Sequence, residues 1–211
     1  MFTDQNLTLM TDLYQLTMMQ GYYHYGKKDR TVVFDLFYRD NPFSAAFSIV
    51  AGLDQAIEYI QNLHFSPEDI AYLQSLNIFE ADFFAELSEG LSLYRRYRCN
   101  PRGQHRVPRE PLLRVKAPII EAQLIETALL CIINHQSLIA TKASRVVWAA
   151  KGDPVMEFGL RQCTGTGCRH ARRARRAVIG GCIGTSNVRT AQLFRRRAKS
   201  EPTVTAGPLS F

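Results

Sequence analysis

Residues 118–134, PIIEAQLIETALLCIIN, constrain this chain more than any other stretch. Pro118 opens the segment, and a proline fits the first turn of a helix, where its missing N–H costs nothing. A helix this apolar must be covered, either by lipid or by the rest of the chain. The run is polar-flanked and falls short of the roughly 18 residues that a membrane span needs. It therefore reads as the helix at the centre of a core. At 211 residues and 46% hydrophobic content, the chain can cover that helix as one domain or as part of a larger one.

The rest of the pattern supplies the covering elements. Leu9, Leu13 and Leu16 recur at helical spacing and predict a helix over 8–20, ended near Gly21. TVVFDLFYR, residues 31–39, predicts a buried strand, and 46–50 a second one. Leu53, Ala56, Ile57 and Ile60 mark a helix. Ser66-Pro67-Glu68-Asp69 carries a cap, a first-turn proline and an acid three residues on, which together start another. A short helix is expected over 80–89, stopped by Gly90, and a strand over 111–116. Helix continues over 137–150, with the lone Trp148, and Asp153-Pro154 makes a turn. Residues 155–158 and 177–179 read as short strands, the second ending at Gly180-Gly181, and 187–194 as a helix. The class is α/β: an N-terminal α+β domain over 1–136, then helix–strand–loop–strand–loop–helix over 137–211.

A net charge of +7 invites a nucleic-acid reading, but its distribution argues against one. Stretches 91–106, 162–176 and 195–211 hold 14 of the 26 basic residues and one of the 19 acids, Glu201. The remainder is mildly acidic. The ARRARRA run has no aromatic residues between its arginines to stack bases. We expect no nucleic-acid and no membrane partner. The acidic N-terminal stretch lacks the basic start and apolar run of a secretory signal. Five irregularly spaced cysteines fit a reducing cytosol, so a cytoplasmic location is expected. Cys163 and Cys168 with His170 fit no common zinc spacing, and no metal is expected there.

Functional groups in parallel β/α architectures collect at the carboxyl ends of strands. Phe158-Gly159-Leu160-Arg161 offers an aromatic face for a flat ring and a guanidinium that can grip a phosphate or carboxylate. The alternative is a core Phe and a surface Arg. Gly184-Thr185-Ser186-Asn187 is a small hydroxyl-rich loop entering a helix, where backbone N–H groups favour an anion. The alternative is ordinary capping. Tyr14 is expected on the helix face away from the leucine stripe, and a buried structural tyrosine is the alternative.

The stretches TDLYQLTMMQGYY, FDLFYRDNPF, AGLDQAIEYI, PREPLLRVKAPIIEAQLIETALL, NHQSLIATKASRVVWAAKG, EFGLR and AVIGGCIGTSNV together resemble nicotinate phosphoribosyltransferases. They run in the family's order over most of residues 7–194. The resemblance implies the type II phosphoribosyltransferase fold, in which an N-terminal domain stands beside an incomplete α/β barrel, here 137–211 and truncated. It implies a homodimer that joins nicotinate to phosphoribosyl pyrophosphate, giving nicotinate mononucleotide for NAD salvage. ATP hydrolysis is coupled through a phosphohistidine, and Mg2+ accompanies the phosphates. By motif, Tyr14 would cover the pyridine ring from the partner subunit. Phe158 would stack on it, Arg161 would bind phosphate, and Gly184, Thr185 and Ser186 would face the nicotinate end.

The three arginine-rich stretches depart from the family. Codons for Cys-Thr-Gly-Thr-Gly-Cys, read one base later, can encode Ala-Gln-Gly-Pro-Asp-Ala, close to the family's sequence there. Residues 98–103 shifted by one base approach the family's A-V-P-E-G. Residues 201–207 shifted by two bases permit a Thr-His-x-His-Ser stretch where the family has G-T-x-x-H-S. Reading-frame slips are the expected cause. The phosphohistidine motif does not survive and the chain stops at Phe211, so no catalytic residue is intact and the literal chain is expected to be inactive.

Overall fold

The computed structural model describes residues 6–41, 46–88, 96–99, 105–106, 108–158, 178–186 and 188–193. Of the three arginine-rich stretches, 162–176 and 195–211 lie outside these residues, and 91–106 is described only at 96–99 and 105–106. The chain divides between His135 and Gln136 into two compact units.

The first unit is organised on one strand. In β5 (Pro111–Pro118), Leu113, Val115 and Ala117 point inward while Arg114 and Lys116 point out, the period of two that a half-buried strand requires. β1 (Thr31–Phe37) pairs antiparallel on one side of β5, from Thr31 opposite Pro118 to Asp35 opposite Arg114. β3 (Arg96–Cys99) pairs antiparallel on the other side, so among the described residues β1 is an edge. β1 is not the buried strand expected from its composition: Val33 and Phe37 are exposed, and only Val32 and Leu36 lean on the core. An edge strand has one neighbour, so apolar content alone does not bury it. The strand expected over 46–50 shortens to β2 (Ser48–Ile49), which pairs antiparallel with β4 (His105–Arg106).

Four helices close the core. α1 (Leu13–His24) begins later than its leucine spacing suggested and runs through Gly21 instead of stopping there. Its core face is Gln15, Leu16 and Met19, while Leu13 is half exposed; Leu9 precedes the helix. α2 (Leu53–Gln61) follows Gly52, whose φ of 110° is a conformation that favours glycine. α3 (Pro67–Ser75) starts as read from the sequence. Asp69 N–H donates to Ser66 Oγ, and Ser66 N–H donates to Asp69 Oδ2, forming a capping box. The segment before α1 is sewn to this region: Thr8, fully buried, donates its hydroxyl to the His64 carbonyl at 2.7 Å. α4 (Ala81–Ser88) buries Phe83, Phe84 and Leu87; the expected stop at Gly90 lies outside the described residues.

α5 (Ile119–Ala149) is one unbroken helix over the apolar run and its expected continuation, and Pro118 is the last residue of β5, not the first of α5. Leu124, Ile125, Ala128, Leu129, Ile132 and Ile133 pack into the core of the first unit. By length and composition α5 could cross a membrane, contrary to the sequence reading, because its second half extends the apolar run. Yet 56% of its most apolar 18-residue window is buried inside the protein, as in a core helix.

The second unit contains the end of α5, then β6 (Met156–Glu157) and β7 (Gly184–Thr185), paired parallel, and α6 (Val188–Leu193). The strand expected at 177–179 is displaced. Val178–Ile179 is helical and the strand falls at Gly184–Thr185. The reason is local: Gly180 packs so closely on α5 that an added Cβ would sit 2.5 Å from the Ala140 carbonyl oxygen. Gly181 then turns the chain at φ 104°.

Candidate active site

Two neighbouring strand ends build the site of the second unit. Two hydrogen bonds frame the β6–β7 pair: Ile183 N–H donates to the Val155 carbonyl at 2.9 Å, and Ser186 N–H to the Glu157 carbonyl at 3.1 Å. Met156 is thereby set opposite Gly184, and Glu157 opposite Thr185. Phe158 and Ser186 follow directly, at the carboxyl ends of two parallel strands, where such folds place ligands. Both are half-buried, which suits groups that must meet a ligand yet be held in place.

Gly184 and Thr185 are buried, Thr185 at 1% exposure. The Thr185 hydroxyl donates to Glu157 Oε2 at 3.0 Å, a charge-assisted bond that fixes the side chains of both strands. Burial pushes the nearby Cys182 thiol up, and the Glu157 charge pushes it further in the same direction. Cys182 is thus a neutral, buried filler and not a nucleophile. Glu157 was not singled out from the sequence. An acid on a short apolar strand, one residue before a strand end, was the signal available.

In the first unit, Tyr14 stands half exposed on α1, against the alternative of a buried structural tyrosine. It shares its exposed face with Leu13 and Met18, so Leu13 lies off the core side that Leu16 marks. Its hydroxyl accepts a hydrogen bond from Gln15 Nε2 at 2.8 Å. The same nitrogen donates to Glu126 Oε2 at 3.0 Å, and Gln123 Nε2 donates to Gln15 Oε1. Thr127 adds a bond from its hydroxyl to Asp12 Oδ2 at 3.2 Å. Loss of solvent, then the charges of Glu126 and Asp12, push the Tyr14 phenol above its ordinary value, with the Gln15 bond opposing them. Sequence reading missed Gln15, Gln123 and Glu126. Their signal was polar residues on the core-facing stretches of two apolar helices.

Of the residues expected at the site, Phe158, Gly184, Thr185 and Ser186 come together at the β6–β7 strand ends, and Tyr14 belongs to the first unit. Arg161 lies outside the described residues, as do Cys163, Cys168 and His170. Among the described residues no group of three His, Cys, Asp or Glu side chains gathers to hold a metal ion.

Comparison with known proteins bears on the same segments. Residues 9–134 match the family model of the nicotinate phosphoribosyltransferase (NAPRTase) N-terminal domain. A nicotinate phosphoribosyltransferase of Bacillus subtilis is 42% identical over 193 residues, covering 92% of this chain and 39% of that protein. One from Dictyostelium discoideum is 38% identical over 187 residues, covering 85% and 31%. The chain therefore spans well under half the length of the curated relatives it matches. The crystal structure of human nicotinic acid phosphoribosyltransferase superposes with a TM-score of 0.81 at 33% identity, over 87% of this chain and 37% of that one. A nicotinate-nucleotide pyrophosphorylase from Pyrococcus furiosus, at 24% identity and a TM-score of 0.71 over 92% of this chain and 41% of that one, shares the fold. The family model spans the three-stranded sheet and the first half of the core helix, more than half of the chain, and the chain belongs to the nicotinate phosphoribosyltransferase family.

Proposed function

We propose that this chain is the N-terminal part of an enzyme that joins nicotinate to phosphoribosyl pyrophosphate, yielding nicotinate mononucleotide and pyrophosphate in NAD salvage. The observation that carries this reading is the parallel β6–β7 pair, which sets Phe158 and Ser186 side by side at one strand end. An aromatic face beside hydroxyl and backbone N–H groups suits a flat ring bearing a carboxylate. Positive charge develops at the anomeric carbon during such a transfer, so the protein's task is positioning and electrostatics. Phe158 stacks on the ring, Gly184 lets the backbone approach it, Ser186 orients its carboxylate end, and Thr185, bonded to Glu157, holds that end of the strand pair in place. Arg161 binds phosphate.

ATP is the second co-substrate, and Mg2+ accompanies it. The working form is a homodimer in the cytoplasm, with Tyr14 reaching the ring of the partner's site from the exposed face of α1. No nucleic acid and no membrane is bound. The arginine-rich stretches are frame-shifted versions of family sequence, and DNA sequencing across codons 91–211 tests that directly.

The activity test is nicotinate mononucleotide formation by a protein in which residues 1–194, restored to frame, are joined to the remaining length found in the relatives. Arg161→Ala should lose most activity and Phe158→Ala should raise the nicotinate KM. Unchanged kinetics in both variants would refute the assigned site. Salt-dependent DNA binding that disappears on deletion of residues 169–176 and 195–197 would favour a nucleic-acid module instead.

A further inference from the structure

Two acids stand behind Tyr14, and among the described residues no Lys, Arg or His pairs with either. Asp12 precedes α1 and Glu126 lies on α5, so two separate elements bring the charges together. Their hydrogen-bond donors are neutral. The Thr127 hydroxyl reaches Asp12 Oδ2 at 3.2 Å, and Gln15 Nε2 reaches Glu126 Oε2 at 3.0 Å. Such donors orient a carboxylate without cancelling its charge.

The charges are felt at the tyrosine. One amide nitrogen, that of Gln15, bridges Glu126 and the Tyr14 oxygen, at 3.0 and 2.8 Å. Gln15 is fully enclosed, so on this path protein and not water fills the space between acid and phenol. Loss of solvent, then the charge of Glu126, then that of Asp12 push the phenol above its ordinary value. That is how an acid responds to negative neighbours. Surroundings that disfavour a phenolate favour a cation beside the same ring.

Transfer to nicotinate creates such a cation. The ring nitrogen of nicotinate is uncharged before reaction. Its lone pair forms the bond to the anomeric carbon, the bond from that carbon to pyrophosphate breaks, and pyrophosphate leaves with the electron pair. The ring becomes a pyridinium, and its carboxylate is unchanged. We propose that Glu126, supported by Asp12, sets a negative field behind Tyr14 that stabilises the ring as it turns cationic. The inference rests on the reading that Tyr14 covers the pyridine ring of the partner's site. Glu126 touches neither ring nor sugar; it is a positioning residue that acts through space and through the Gln15–Tyr14 contact. For the anionic substrate the field is unfavourable, and it becomes favourable as the reaction proceeds. An interaction that grows toward the transition state accelerates the step instead of tightening the substrate.

The test uses the full-length enzyme restored to frame. Two ring ligands separate charge from fit: nicotinate, with a neutral ring nitrogen, and N-methylnicotinate, whose ring nitrogen is quaternary. The methyl group takes the place of the anomeric carbon, so this ligand fits in the absence of phosphoribosyl pyrophosphate. Glu126→Gln keeps an acceptor for Gln15 and removes only the charge. It should weaken N-methylnicotinate relative to nicotinate roughly three- to tenfold, the scale of one screened charge several ångströms away. The single-turnover rate of nicotinate mononucleotide formation should fall by a similar factor, while nicotinate itself binds as well or better. Glu126→Asp retains the charge and should retain most of the affinity ratio and the rate. An unchanged ratio or an unchanged rate in Glu126→Gln overturns the proposal. So does an equal weakening of both ligands, the mark of a merely structural role. Tyr14→Ala tests the underlying reading separately: affinities and rate that ignore it show that Tyr14 does not meet the ring, and the proposal falls with that reading. A restored enzyme that forms no nicotinate mononucleotide refutes the proposed function itself.

Discussion

One substitution, glycine to alanine, should have opposite signs at two positions. At Gly180, an added Cβ would lie 2.5 Å from the Ala140 carbonyl oxygen, 2.6 Å from Ala143 Cβ and 2.9 Å from Ser144 N. Carbon atoms sit comfortably at about 3.5 Å or more, so the overlap with Ala143 alone is close to 1 Å. Two of the three obstacles are helix backbone, which cannot rotate aside as a long side chain would. The strand-end loop must back away from α5, and such overpacking costs about 1–3 kcal/mol. Gly21 is the counterpart. It lies within α1, and a Cβ there meets nothing within 4 Å. Gly21→Ala relieves the backbone entropy penalty of a mid-helix glycine and should stabilise by about 0.5–1 kcal/mol. Urea denaturation followed by far-ultraviolet circular dichroism measures both, from shifts in midpoint at constant slope. A Gly180→Ala chain as stable as the parent would refute the close helix–loop contact. A destabilised Gly21→Ala would show that this face of α1 is covered in solution.

Other consequences are as specific. Ser66→Ala removes the capping box of α3 and should cost about 1 kcal/mol by the same denaturation assay. Thr185→Val keeps a strand-forming shape but leaves the Glu157 carboxylate without that donor. A loss of about 1–3 kcal/mol is expected, and no loss would mean the 3.0 Å bond contributes nothing. The Arg114 guanidinium, bonded to Asp35 at 2.6 and 2.7 Å, holds the Asp35 carboxyl below its ordinary value. Its contribution is therefore full above the unfolded carboxyl value and fades as pH falls through the folded one. The stability gap between the parent and Asp35→Asn should be small, since the pair is half open to solvent, and should close as pH drops below about 4. Iodoacetamide should label the exposed Cys131 well before the buried Cys182, as read by peptide mass spectrometry; equal rates would contradict the burial of Cys182.

What could be read in the sequence was whatever a short local rule decides. Ser66 and Asp69 announced α3 because a capping box is complete within four residues. The apolar run after Pro118 announced the core helix because nothing else can shelter it. Long-range facts stayed hidden. TVVFDLFYR has the composition of an interior strand, yet sheet order makes it an edge. AVIGG looked like a strand end, yet Gly180 serves helix packing and the strand begins four residues later. At the candidate site, Phe158 and Ser186 were recognisable as strand-end residues, but their shared position depends on a parallel pairing across more than twenty intervening residues. The glutamines behind Tyr14 carried no pattern of their own, since a buried polar pair is defined by the partner each side chain finds.

The edge position of β1 has a further consequence. Among the described residues nothing pairs with the outer flank of these seven residues, which bear exposed Val33 and Phe37, and such a flank is a template on which a stray extended peptide could grow. The pairing slips between Leu36 and Phe37, where Leu112 of β5 is the extra residue, and an irregularity of that kind bends a strand and increases the local twist of the pair. The run of straight, evenly spaced backbone groups therefore ends before the most adhesive ring on it. Straightening that slip by deleting one residue would lengthen the template, and the price would be paid at the concentrations of recombinant expression, as inclusion bodies.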